Sequence, residues 1–314
     1  MKPPVLPTHL VPGDTVLLTS VSSPVPSDAH LHRMIACLRA LGLQVRPAEH
    51  VMAREAYAAG PPEVRATDFN RGLADGNVRA IFFAWGGKAA NQILPLLDYD
   101  QFARQPKIVV GLSDPVTILN ALYARTGVLT FHGPTGVNFS DPAGLAPYTT
   151  NALRRVLFSS APPGALPAFS PWETLRAGRA QGRILGGHLS TMQTLLGTPF
   201  EPAWDESIFF WEEVGRTPRQ IDHILTHFKL RGVFEKIRGM VVGRLLGCED
   251  KEADMNVDPR KMILSLCKEY SFPILFNVDS GHADPKLTIP IGGIAELDLG
   301  DGRMSFALPE ACVC

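Results

Sequence analysis

Between residues 15 and 126, short apolar runs alternate with helix-like stretches. That rhythm leaves few architectures open. "TVLLTSV" (15–21) is apolar and β-branched, the pattern of a buried strand. "SDAHLHRMIACLRALG" (27–42) carries apolar positions near a 3.6-residue period, with Ser27 or Asp28 to cap it and Gly42 to end it. "LQVRPA" reads as a strand, "PPEVRATDFNRGLADG" as a helix stopped by Gly76, and "VRAIFFAWGG" as a strand ending in glycines. "AANQILPLLDYDQFARQ" holds a helix and a turn, "KIVVGLS" is the next strand and "PVTILNALYARTG" the next helix. A βαβα succession of this kind predicts a doubly wound, mainly parallel sheet covered by helices on both faces. Ligands of such sheets bind at the carboxyl ends of strands, where Gly86-Gly87 and Ser113 fall.

Past residue 140 the texture changes. "SSAPPGALPAFSPWETLRAG" (159–178) is rich in Pro, Ser, Ala and Gly, and reads as a linker or irregular crossover. The remainder is dominated by strands with two helices between them. The expectation is an N-terminal α/β domain over 1–158, a linker over 159–178 and a smaller C-terminal α/β domain over 179–314. A chain of 314 residues suits about two domains. With a formal net charge of -1 and no basic stripe, nucleic acid is not an expected partner. No apolar stretch reaches the ~18–20 residues that span a bilayer, and no signal peptide is read at the N-terminus. Five dispersed cysteines argue against a disulfide framework. A cytoplasmic protein with no membrane partner is therefore expected. The terminal C-V-C has no second ligand pair near it in sequence, so no metal is expected there.

Several residues could carry chemistry, and each also has a plain structural role open to it. Ser113 ends a strand and precedes Asp114-Pro115. It is either a nucleophile raised on a strand-to-helix turn or an ordinary helix cap, and G-x-S-x-G lacks its second glycine here. Gly86-Gly87 either lets backbone N–H groups approach a ligand or makes a turn; no dinucleotide fingerprint is present. His223 and His227 are spaced i, i+4, but Ile224 stands where H-E-x-x-H needs glutamate. His282, in "NVDSGHADP", lies in a loop past a strand, as a catalytic base or a solvated histidine. In "IFFWEEVG" two carboxylates close an apolar strand. Successive side chains alternate in direction, so only one of Glu212 and Glu213 is expected to face a site, unless the strand simply emerges into solvent.

Five segments taken together resemble the LD-carboxypeptidase family of serine peptidases, which includes the microcin C immunity peptidases. They are "WGGKAANQILPLLDYD", "PKIVVGLSDPVTILNALYARTGVLTFHGP", "GRILGGHLSTMQTLLGT", "FFWEEVGRTPRQIDHIL" and "DSGHADPKLTIPIG", in order over roughly residues 80–295. The resemblance implies a Ser-Glu-His triad of Ser113, Glu212 and His282, with Glu213 where the family usually has aspartate. It implies an oxyanion hole from the backbone N–H groups of Gly87 and Asp114, no metal or organic cofactor, and a homodimer. With the nucleophile in the first domain and its partners in the second, the site would lie in an interdomain cleft. Ser113 would both cap its helix and attack from it. The first motif reads Trp85-Gly86-Gly87-Lys88-Ala89 where muropeptide enzymes typically read R-G-G-Y-G, and G-G-N has become Gly186-Gly187-His188. Trp85, Lys88 and His188 are thus candidate substrate contacts. Trp172 matches an aromatic on which the immunity branch stacks a nucleobase, or else anchors a loop. The implied substrate is a small peptide conjugate, with a peptidyl or aminoacyl nucleotide favoured over a muropeptide. A catalytically silent binding protein on the same fold is the contrasting possibility.

Overall fold

The computed structural model describes residues 3–249, 257–300 and 302–314. Its strands, in chain order, are β1 (Thr15–Thr19), β2 (Gln44–Pro47), β3 (Val78–Phe83), β4 (Ile108–Gly111), β5 (Thr130–His132), β6 (Gly164–Ala165), β7 (Glu173–Arg176), β8 (Arg179–His188), β9 (Ser207–Val214), β10 (Gly239–Leu246), β11 (Ile274–Val278), β12 (Ile289–Ile291), β13 (Ile294–Asp298) and β14 (Ser305–Leu308). The helices are α1 (Asp28–Ala40), α2 (Pro62–Ala74), α3 (Tyr99–Arg104), α4 (Val116–Thr126), α5 (Gly136–Phe139), α6 (Pro147–Leu157), α7 (Leu189–Met192), α8 (Pro218–Leu230) and α9 (Pro259–Leu266). The chain is mixed α/β with two sheets.

The first sheet has the order β12-β5-β4-β3-β1-β2. β1 to β5 are parallel, in register Leu17↔Ile81, Phe82↔Val110 and Gly111↔His132. The chain runs from β1 outward to β2, then returns to lay β3, β4 and β5 on the other side. This reversal opens a crevice beyond the carboxyl ends of β1 and β3. Ile81, Phe82 and Phe83 are fully buried. An apolar run without polar alternation is what a strand covered on both faces requires; each such phenylalanine contributes about 2–3 kcal/mol of burial.

The second sheet has the order β6-β14-β13-β8-β9-β10-β11-β7. β8, β9, β10 and β11 are parallel, and the flanking strands are antiparallel. The proline-rich stretch 159–178 contributes β6 and β7 to the edges of this sheet, so part of it is ordered strand. A further difference from the linear division concerns β12. It leaves the second half of the chain and pairs antiparallel with β5, Ile289 opposite His132. The two halves therefore share the first sheet.

Candidate active site

The functional side chains sit where the parallel strands of both sheets end. Ser113 follows β4 with φ 65°, a left-handed conformation a non-glycine residue seldom adopts. Its side chain does not cap α4, contrary to the dual role expected: Pro115 takes the N-cap position, and only the Ser113 carbonyl joins the turn, accepting from Val116 N at 3.0 Å. A β-carbon at Gly86 would lie 2.9 Å from Ser113 Oγ, so glycine is what lets the loop after β3 approach the hydroxyl. Gly87, at φ 150°, has no room for a side chain against Ser22 and Ser23 of the loop after β1.

Asp114 holds this arrangement together. Its buried Oδ2 accepts from Ala89 N and Ala90 N, each at 2.7 Å, and from the Ser22 hydroxyl. Three donors on one carboxylate oxygen fix the loop that carries Gly87. Among the described residues, the backbone N–H groups of Gly87 and Asp114 donate to nothing.

In the second sheet, Glu212 and Glu213 at the end of β9 are both fully buried. The strand does not emerge into solvent, and both carboxylates are partnered inside the protein. They point to opposite faces, as the pleat demands, but neighbouring segments bring a histidine to each. Glu212 Oε2 accepts from His282 Nδ1 at 2.8 Å and from His282 N at 3.2 Å. Glu213 Oε1 lies 2.8 Å from His188 Nε2, and its Oε2 accepts from Ser190 N and the Ser190 hydroxyl. The two imidazoles meet edge to face, centroids 4.9 Å apart.

Burial pushes the Glu212 carboxyl up, but the His282 ring bonded to Oε2 and the His132 ring near Oε1 outweigh it and hold it well below its ordinary range. At His188 burial opposes the charged ring, yet the bond to Glu213 and nearby carboxylates raise its pKa. Hydrogen-bond accounting agrees. Nε2 faces an acceptor-only carboxylate. Nδ1 lies 3.4 Å from Thr191 Oγ1, whose own proton goes to the His188 carbonyl at 2.9 Å. Nε2 therefore donates to Glu213, and a charged ring could also donate from Nδ1 to Thr191 Oγ1.

Two cavities meet at Ser113. One, of about 590 Å³, is lined by Gly87, Lys88, Ser113, His188, Glu213 and Arg216, among others. The other, of about 220 Å³, is walled by Trp85, Gly87, Ser113, Val137 and His282, among others. Residues from the ends of both sheets line each. Lys88 is exposed and Trp85 half-buried against His30. Among the described residues neither Lys88 nor Arg216 is paired with an acid.

Trp172 is not part of either lining. It is 6% exposed, packs near Phe306, and donates from Nε1 to Asp279 Oδ2 at 2.8 Å. Phe169 N and Ser170 N bind the same carboxylate. These bonds anchor its loop, with the indole packed away from both cavities.

His188, Glu212 and His282 also offer one ligand atom each within 4.8 Å of one another. Both histidines already spend a ring nitrogen on a carboxylate, so proton chemistry is the use this geometry favours. His132, Ser280, Lys286 and Arg216 escaped singling out in the sequence. Arg216 directly follows E-E-V-G, and His132 lies inside "TFHGP", but a histidine in an apolar strand carries no signal of its own.

Both halves match described families. Residues 16–133 match the LD-carboxypeptidase N-terminal domain and residues 181–297 the LD-carboxypeptidase C-terminal domain. A "probable murein peptide carboxypeptidase" of Bacillus subtilis is 29% identical over 298 residues, covering 94% of this chain and 92% of its own. The microcin C7 self-immunity protein MccF of Escherichia coli is 26% identical over 333 residues, covering 96% of each. Among solved structures, an MccF-like protein from Bacillus anthracis superposes with a TM-score of 0.89 at 29% identity, over 98% of this chain and 99% of that one. MccF in complex with aspartyl sulfamoyl adenosine has the same fold, with a TM-score of 0.88 at 24% identity, over 99% of this chain and 100% of that one. With both domain models matched in order along one chain, this protein belongs to the LD-carboxypeptidase family.

Proposed function

We propose that this chain is a serine peptidase that hydrolyses an amide bond in a small, anionic peptide conjugate. The observation that carries the reading is the 2.8 Å bond from His282 Nδ1 to buried Glu212, with His282 and the left-handed Ser113 lining one cavity. Ser113 Oγ attacks the carbonyl carbon while His282 Nε2 takes its proton. Glu212 holds the tautomer with Nδ1 protonated and stabilises the imidazolium that forms. The unspent N–H groups of Gly87 and Asp114 receive the oxyanion; each such donor is worth about 3–4 kcal/mol in comparable sites. When the tetrahedral adduct collapses, the C–N bond breaks and His282 returns its proton to the leaving nitrogen. Water, deprotonated by His282, then cleaves the acyl-serine ester.

Lys88, Arg216 and His188, whose pKa is raised beside Glu213, make the larger cavity suited to a carboxylate on the acyl side. Trp85 and Val137 give the smaller cavity apolar walls for a leaving group with a flat ring. That division favours an aminoacyl or peptidyl nucleotide of the microcin C type, in keeping with the aspartyl sulfamoyl adenosine bound by MccF. A muropeptide cut before a terminal D-alanine is the second reading, supported by the same cations and by the murein peptide relative. The five free cysteines support action in the cytoplasm.

A paired turnover assay separates the readings. Purified protein and Ser113→Ala are each given an L,D-tetrapeptide muropeptide and a peptidyl-sulfamoyl-adenosine conjugate, with products read by mass spectrometry. Release of the aminoacyl nucleotide alone is expected. D-alanine alone would select the muropeptide. Undiminished turnover by Ser113→Ala would remove the mechanism, and a protein that binds but neither cleaves nor accepts a fluorophosphonate at Ser113 would be a silent binder.

A further inference from the structure

Around Glu212 lies a buried polar cluster of which the mechanism above uses only one carboxylate oxygen. Glu212 has two oxygens, and only Oε2 is satisfied; Oε1 is buried and makes no hydrogen bond. His132, on β5 and fully buried, also has an unpartnered nitrogen, Nε2. The two atoms face one another at 3.9 Å. The other ring nitrogen, Nδ1, lies 3.4 Å from Ser280 Oγ. Ser280 is two residues before His282. Lys286 Nζ is buried nearby but is paired with Asp284 at 3.1 Å.

The tautomer of His132 follows from its neighbours. Burial holds the ring neutral against the pull of Glu212, so it carries one N–H. A lone pair on Nε2 facing an ionised carboxylate would be repelled. The proton therefore sits on Nε2, and Nδ1 accepts from the Ser280 hydroxyl. Glu212 Oε1 then gains the donor that a buried carboxylate oxygen requires, by a short contraction or through one bridging water.

We propose that His132 is a positioning residue for the same reaction: its Nε2–H engages the free oxygen of Glu212 and fixes the carboxylate that orients His282. The proposal rests on the triad reading. It extends the relay to Ser280 Oγ–H, His132, Glu212, His282 and Ser113, joining β5 of the first sheet to β9 of the second. Without the His132 donor, the carboxylate is free to turn about its terminal bond. The His282 ring then loses its aim at Ser113, although nothing that touches substrate has changed.

The test compares three substitutions in the whole chain. His132→Gln places an amide N–H near the Nε2 position, His132→Asn places one near Nδ1, and His132→Leu supplies none. Reactivity is read as the rate of Ser113 labelling by a fluorophosphonate probe, as a function of probe concentration. The maximal rate should fall by about 10²-fold in the Leu and Asn variants, with half-saturation unchanged. His132→Gln should recover at least about tenfold of that loss. A role in packing alone would not favour Gln over the similarly bulky Leu. Nitrogen-15 spectra of histidine-labelled wild type give an answer independent of any variant's folding. A neutral His132 protonated at Nε2 is expected, and protonation at Nδ1 overturns the proposal. Full labelling rates in folded His132→Leu also overturn it, while loss of labelling in His282→Ala would leave the triad standing. Labelling of His282→Ala at the wild-type rate would instead mean that the triad reading itself had failed.

Discussion

Gly281 holds φ at 111°, and a β-carbon there would stand 2.5 Å from Glu212 Oε2. That oxygen orients His282 one residue later, so Gly281→Ala should push the carboxylate and the imidazole apart. A misplacement of this order costs about 10²-fold in kcat, while the backbone strain removes about 1–3 kcal/mol of stability. Steady-state kinetics beside a thermal melt checks both, and a variant with normal kcat would show that Glu212 need not sit where it does. The His188–Glu213 pair makes a separate prediction, about pH. His188 is raised above its ordinary 6.5, so the pair's stabilisation is complete below 6.5 and is lost as pH rises through the folded value. Burial raises Glu213, but His188 and Ser190 bring it below its ordinary 4.5. Its share is present above 4.5 and lost as pH falls through the folded value. The Tm gap between wild type and His188→Asn should therefore be widest between pH 4.5 and 6.5 and narrow toward pH 9. Melts across that range that keep a constant gap would rule out a charged pair. Little of this could be read from residues in a row. The G-H and E-E dipeptides could be found, but which imidazole meets which carboxylate depends on three strand ends converging.

At the scale of elements, Asp114 links two loops to the start of α4. Asp114→Ala keeps the backbone N–H proposed for the oxyanion but strips the buried N–H groups of Ala89 and Ala90 of their acceptor. Each orphaned group costs about 1–3 kcal/mol. The loop carrying Gly87 is then free to drift. Tm should fall by several degrees and kcat by at least ~10²-fold, the cost of one lost oxyanion donor. Asp114→Asn keeps one acceptor oxygen and should recover part of both; kinetics and calorimetry of the two variants decide it. The elements themselves were legible, because hydrophobic period and glycine stops act locally. α1 runs from Asp28 to Ala40 within the predicted 27–42, and β3 and β4 end before the glycine and serine loops foreseen for them. The left-handed Ser113 was not legible. The loop carrying Gly86 lies against its side chain, a contact between segments apart in sequence, while the sequence Ser-Asp-Pro by itself reads as a helix start.

Across the whole molecule, the site exists only while the two sheets keep their relation. Asn120 on α4 is fully buried and bonds both backbone groups of Gly186 on β8, donating to its carbonyl at 2.8 Å and accepting from its N–H at 3.1 Å. Two residues on, β8 delivers His188. α4 in turn begins at Val116, directly after the Ser113–Pro115 turn. A β-carbon at Gly187 would press within 2.5 Å of the Val116 side chain, so α4 packs directly on the backbone of β8 at this point. β12 returning to pair with β5 is a second tie between the halves. Strand order of this kind depends on contacts far apart in sequence, which explains why the linear division into 1–158 and 179–314 did not reveal it. Asn120→Ala leaves two buried backbone groups without partners, a loss of about 2–4 kcal/mol, and loosens the sheets where Ser113 faces His188. In wild type, fluorophosphonate reactivity and tryptophan fluorescence should be lost at the same urea concentration, because the ties make unfolding one event. In Asn120→Ala, compared in a Trp85→Phe background that removes the tryptophan beside Ser113, reactivity should fail at lower urea than fluorescence, since buried Trp204 and Trp211 then report the second half of the chain and not the seam. Coincident transitions in the variant would mean that β12 and the remaining contacts hold the sheets in register without this bond.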